Sequence, residues 1–110
     1  MPTDALICQF SSEQLQAINN QAAIYMCACP AQVSEQLLHL RRLYTYQQRC
    51  ITSGSVSDAV HRVIAEATRR AHGELEQCLD RVLTMEGWDR ATMSRPPGLR
   101  ELRDDQIPRS

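Results

Sequence analysis

The chain has 110 residues, with 12 basic side chains against 13 acidic ones and a formal charge of -1. That is the size of one domain, and the near-neutral balance lacks the basic field on which nonspecific nucleic-acid binding draws. All 12 basic residues are Arg, so a lysine nucleophile, a Schiff base and a P-loop lysine are excluded by composition.

Four Gly, one Phe and one Trp, set against abundant Ala, Leu, Gln, Arg and Glu, describe a helical chain with few strand formers. The N-terminal run from Met1 to Cys8 has no basic segment and only a short apolar stretch, so neither a signal peptide nor a membrane anchor is expected there. Ile7 also occupies the place where a lipoprotein cleavage site wants a small residue. A cytoplasmic location follows as the expectation, with the five cysteines read as free thiols or metal ligands before disulfides.

The first helix is expected over 11–27. Ser11 is its N-cap, Gln14 completes a capping box, and Phe10 with Leu15 forms a hydrophobic staple. Leu15, Ile18, Ala22, Tyr25 and Met26 define its apolar stripe. Pro30 suits the first position of a second helix over 30–52, with Cys29 as N-cap. Val33, Leu37, Leu40, Tyr44, Gln47 and Ile51 alternate steps of four and three, and Leu38 and Leu43 widen this seam.

Thr52 to Ser55 is a turn, and Ser55 with Asp58 gives the next capping signal. The third helix is expected over 56–86. Val60, Ile64, Ala67, Ala71, Leu75, Cys78, Val82 and Met85 mark its apolar stripe, while Asp58, Arg62, Glu66, Arg70 and Glu74 form a solvated ladder of alternating charge. Trp88 is expected to cap the end of the bundle. After it the pattern collapses around Pro96, Pro97 and Gly98, which divides the chain into a helical domain, 1–88, and a mobile tail, 89–110.

A helix of about 28 residues is roughly 42 Å long, against a diameter of about 34 Å for a compact domain of this size. The expected fold is therefore all-α, a three-helix up-down arrangement with a long helical hairpin, closed into a helix bundle by homodimerisation.

If the second and third helices turn back near Gly54, facing residues have numbers totalling about 108, which sets Cys78 opposite Pro30. Cys27, Cys29 and Cys78 then meet at one end. Cys29 at a helix N-terminus favours thiolate, and three sulfurs with Met26 and Met85 nearby form a soft set suited to Zn or Cu. If the first hairpin turns at Ala28 and Cys29, facing numbers total about 57, and Cys8 joins Cys50, Asp58 and His61 as a second candidate cluster at the opposite end. His39 and His72 fall within a turn of each other and read as surface or hydrogen-bonded histidines. No Glu-x-x-His pair occurs on two helices, which excludes the di-iron carboxylate bundle.

No acid, base or nucleophile set is placed by the sequence. The first expectation is a small non-catalytic interaction or accessory protein, partnered by a second copy and by another protein, with no nucleic acid and no membrane. The alternative is a thiol-based redox or metal sensor or carrier built on Cys27, Cys29 and Cys78. A third is a thiol-disulfide enzyme in which Cys29 attacks. The pairs Arg41-Arg42 and Arg69-Arg70 read as solvated residues and not as a DNA-reading helix.

Overall fold

The computed structural model describes residues 6–21, 29–51 and 58–95. It contains three helices in chain order, α1 (Ser12–Asn20), α2 (Cys29–Ile51) and α3 (Asp58–Glu86). Among the described residues no strand forms; the nearest thing to one is an isolated bridge between Asp89 and Ser94. The all-α expectation holds.

α1 begins as its sequence dictates. Ser11 is extended, its Oγ accepts from the Gln14 N–H at 3.0 Å, and Gln14 Oε1 accepts from the Ser11 N–H at 2.9 Å. This satisfies two of the backbone donors that a helix start leaves open. Phe10 and Leu15 are both buried in the core, as a staple requires. α1 closes at Asn20 with Gln21 as C-cap; Ala22, Tyr25 and Met26 of the expected stripe lie outside the described residues.

The chain reverses between α1 and α2. Arg41, midway along α2, donates to Ser12 Oγ at 3.0 Å and to the Phe10 carbonyl, so α1 lies alongside α2 and does not continue into it as a kinked helix. α2 also packs on α3. The register of that second hairpin is marked by Gln47 and His61, whose Oε1 and Nδ1 are 2.6 Å apart; their numbers total 108, the value expected for a turn near Gly54. On α2 the expected seam is the buried side: Leu37, Tyr44 and Gln47 are buried, and Val33, Leu40 and Ile51 are half-buried.

On α3 the expected stripe is not the buried side. Ala65, Thr68, His72, Glu76, Leu79 and Leu83 face inward, a set turned by about 100°, one residue, from the apolar stripe. Val60, Ala67, Ala71, Cys78 and Met85 are exposed, and Ile64, Leu75 and Val82 are half-buried. The physical reason is that three of the inward positions are polar yet internally bonded. Thr68 Oγ1 donates to the Ile64 carbonyl at 2.7 Å, and His72 and Glu76 belong to the network described below. A polar group with partners can be buried at little cost.

The apolar core sits at one end. Phe10, Leu15 and Ile18 meet Leu37 of α2, Leu79 and Leu83 of α3, and Trp88 and Met93 beyond it. α3 closes with Gly87 at φ 73°, the Gly87 N–H donating to the Thr84 carbonyl and the Trp88 N–H to the Leu83 carbonyl, at 3.1 and 3.0 Å. This paired pattern ends a helix by using a left-handed glycine and brings Trp88 down onto Leu83. Trp88 thus caps the bundle end.

The start of the expected tail, 89–95, is part of the fold. Asp89 and Ser94 exchange two backbone hydrogen bonds, and Asp89 Oδ1 accepts from the N–H groups of Ala91 and Thr92. The turn buries Met93. Arg90 reaches back to the carbonyl and carboxylate of Asp80 at 2.8 and 2.9 Å, and Arg95 lies over the Trp88 ring while pairing with Glu86 at 3.3 Å. Residues 96–110 of the tail lie outside the described residues.

Candidate functional site

Two features stand out from the packing: a buried polar network that pins the N-terminal segment, and a long apolar face of α3 that none of the described residues covers. The network is centred on Glu76, whose side chain is 5% exposed. Its Oε1 accepts from the Gln9 N–H at 2.9 Å, and its Oε2 from the Phe10 N–H at 3.0 Å and from Arg41 Nη2 at 3.1 Å. Arg41 Nε donates to His72 Nε2 at 3.0 Å. His72 must then carry its proton on Nδ1, which lies 3.8 Å from Glu76 Oε1.

Burial drives the His72 pKa down; the Glu76 carboxylate opposes this and Arg41 adds to it. The imidazole is therefore neutral near neutral pH, as its role as acceptor from Arg41 requires. The Arg41 guanidinium and the Gln9 and Phe10 N–H groups meet acceptors, and the outcome is mechanical: residues 9–12 are fastened to α2 and α3 at once. A buried pair of this kind fixes geometry more than it adds stability.

The second feature follows from the short first helix. α1 has nine residues, about 14 Å of helix, against 29 in α3, about 43 Å. It lies beside α2 and stops there. Val60 is 58% exposed, Val63 70% and Met85 80%, and Ala67, Ala71 and Cys78 continue the line between them. Glu66, Arg70, Glu74 and Arg81 run along its solvent side, all exposed. Arg69 hydrogen-bonds to Glu66 at 3.1 Å through Nε and holds that carboxyl below its ordinary pKa, with Arg70 adding to the effect. On the other side of the molecule Leu38, Arg42, Tyr46 and Arg49 line an open groove of about 520 Å³, but Arg41 beneath it is committed to the inner network.

The cysteine clusters fare differently. Cys27 lies outside the described residues. Cys29 opens α2 and is exposed, and Cys78 is an exposed residue of α3; the register marked by Gln47 and His61 sets Cys78 level with Pro30. Cys8, Cys50, Asp58 and His61 are not brought together. The N–H groups of Gln9 and Phe10 bind Glu76, which is 15 residues beyond His61 in sequence, or about 22 Å along α3. The contacts of Arg41 with Phe10 and Ser12 set facing numbers in the first hairpin near 52 instead of 57, which moves Cys8 away from Cys50. His61 bonds to Gln47 instead. Among the described residues no three His, Cys, Asp or Glu side chains are grouped to hold a metal ion, and Cys8, Cys29, Cys50 and Cys78 are free of disulfides.

Sequence reasoning missed the network because it looked for apolar periodicity. The available signal was the His72 and Glu76 pair at i,i+4; Arg41, which meets both, lies five to nine residues off the 108 register and reaches them along its own length. His39 is exposed and His72 buried, so only the second is the hydrogen-bonded histidine anticipated. Comparison with protein-family models, curated proteins and solved structures found no match. Among the described residues no helix is long and apolar enough to cross a membrane.

Proposed function

We propose that this chain is a small non-catalytic interaction protein, cytoplasmic, which works as a homodimer and engages further protein through its helical surface. The observation that supports this is the exposed line from Val60 to Met85, in a chain whose other two helices pack elsewhere. Apolar side chains in a continuous file along a helix are an association surface, not a solvent-adapted one. Among the described residues α1 is too short to cover a helix of this length, and a second copy of the chain is the cover we propose.

Native mass spectrometry on protein purified anaerobically without chelator tests the assembly. A dimer is expected, and Ala67→Arg should convert it to monomer while retaining helical content, since Ala67 is exposed in the single chain and Arg is a good helix former. A wild-type monomer at micromolar concentration would overturn the homodimer. A second reading, a thiol or soft-metal sensor at Cys27, Cys29 and Cys78, is favoured by the exposure of Cys29 at the start of α2. The same spectrum tests it, because bound zinc or copper adds its mass and Cys29→Ser should remove it.

A further inference from the structure

We propose that the exposed face of α3 is covered by α3 of a second copy, running antiparallel about a two-fold axis that passes between the two helices at the level of His72 and Gly73. This rests on the homodimer proposed above and adds its partner face, its direction and its register. Two independent features of the helix select that arrangement.

The first is the order of residue sizes. A two-fold interface brings each residue level with its mirror position, and about this midpoint the two ends of the face match in size, while at the centre Ala71 lies level with Glu74. Val60 meets Met85, Val63 meets Val82 and Ala67 meets Cys78, the numbers in each pair totalling 145. Small side chains, Ala67, Ala71 and Cys78, lie towards the middle, where two crossing helices come closest. Large ones, Val60, Val63 and Met85, lie at the ends, where helices diverge and long side chains are needed to maintain contact.

The second is charge. In an antiparallel pair related by such an axis, the same flank of both helices meets. Along the solvent flank of α3 the exposed charges read Glu66, Arg70, Glu74, Arg81. Reversed on the second copy, this order sets Arg70 against Glu74 and Glu66 against Arg81, four attractive pairs in all once symmetry is applied. In a parallel two-fold pair this flank would instead face the opposite flank of the second copy, and Glu66, Arg70, Glu74 and Arg81 would lose these partners. The Arg70 and Glu66 contact within one chain, 3.8 Å between Nη1 and Oε2, holds these side chains on that flank already.

The decisive experiment is a charge swap read as the dimer dissociation constant by sedimentation. Arg70→Glu alone and Glu74→Arg alone should each weaken the dimer about tenfold, by placing like charges together twice, and the double variant should restore wild-type affinity. A parallel dimer would show no such rescue, since there this flank does not meet its own copy; equal affinities for all four proteins would overturn the register while leaving the homodimer intact.

A crosslink gives a second readout. In a background with Cys8, Cys27, Cys29 and Cys50 replaced by Ser, the two Cys78 thiols stand about 16 Å apart along the axis, and a short bismaleimide should not join them. Adding Ala67→Cys should give a covalent dimer. Efficient coupling through Cys78 alone would overturn the antiparallel register. A wild-type monomer in the native spectrum would instead remove the homodimer on which it rests.

Discussion

At the residue scale the molecule is governed by one carboxylate. Glu76 collects two backbone donors and one guanidinium group in a site where its side chain is 5% exposed. Removing it leaves Arg41 and two N–H groups facing a dry gap, so Glu76→Ala should cost about 3–5 kcal/mol in denaturant unfolding. Arg41→Ala should cost a similar amount, and the double variant well under the sum, because both remove one network. His72 adds a pH dependence. Its pKa is lowered in the fold, so below the ordinary histidine value of about 6.5 the unfolded chain takes up a proton that the folded chain refuses. Stability is then complete above that pH and is lost as pH falls from there through the folded value. Equilibrium unfolding from pH 7.5 to 5 should show this loss, and His72→Gln should flatten the part of it that histidine carries.

At the element scale the start of α1 and the end of α3 were readable, the end of α1, expected at 27 and found at Asn20, was not, and the helix faces were only partly so. Ser11 and Gln14 announce α1, and their reciprocal hydrogen bonds are present. Gly87 marks the end of α3 at a positive φ, where a Cβ is disfavoured; Gly87→Ala should lower stability by about 1–2 kcal/mol and loosen Trp88 from Leu83, which tryptophan fluorescence would report. On α2 apolar periodicity located the buried side, because Gln47 alone interrupts it and finds His61 as partner. On α3 it located a different side. Thr68, His72 and Glu76 occupy the inward positions, and hydropathy counts them as solvent-facing because it cannot see the Arg41 and backbone groups that meet them.

For the whole molecule, the core lies towards the end where α1, the start of α2 and the 88–95 turn converge on the last third of α3. Leu79, fully buried there, should cost about 2–5 kcal/mol when truncated to Ala. Ala67→Arg and Ala71→Arg, on the side that apolar spacing marks, should be nearly silent in the isolated chain, where both residues are exposed. That contrast, measured by thermal melts on protein shown by sedimentation to be monomeric at the concentration used, checks which side of α3 is the core.

By itself the sequence determined the helical class, the order of the helices, the 108 register of the long hairpin and the cap at Ser11, because these depend on local propensity, capping chemistry and chain length; it did not determine the end of α1, which closes at Asn20 and not at 27. Only the tertiary structure decided which side of α3 is buried, that Cys8 lies beside Glu76 instead of Cys50, and that 89–95 fold back over the core. Those outcomes depend on pairing between residues dozens of positions apart, as when Arg41 meets both Phe10 and Glu76, and such pairing leaves no periodic trace along the chain.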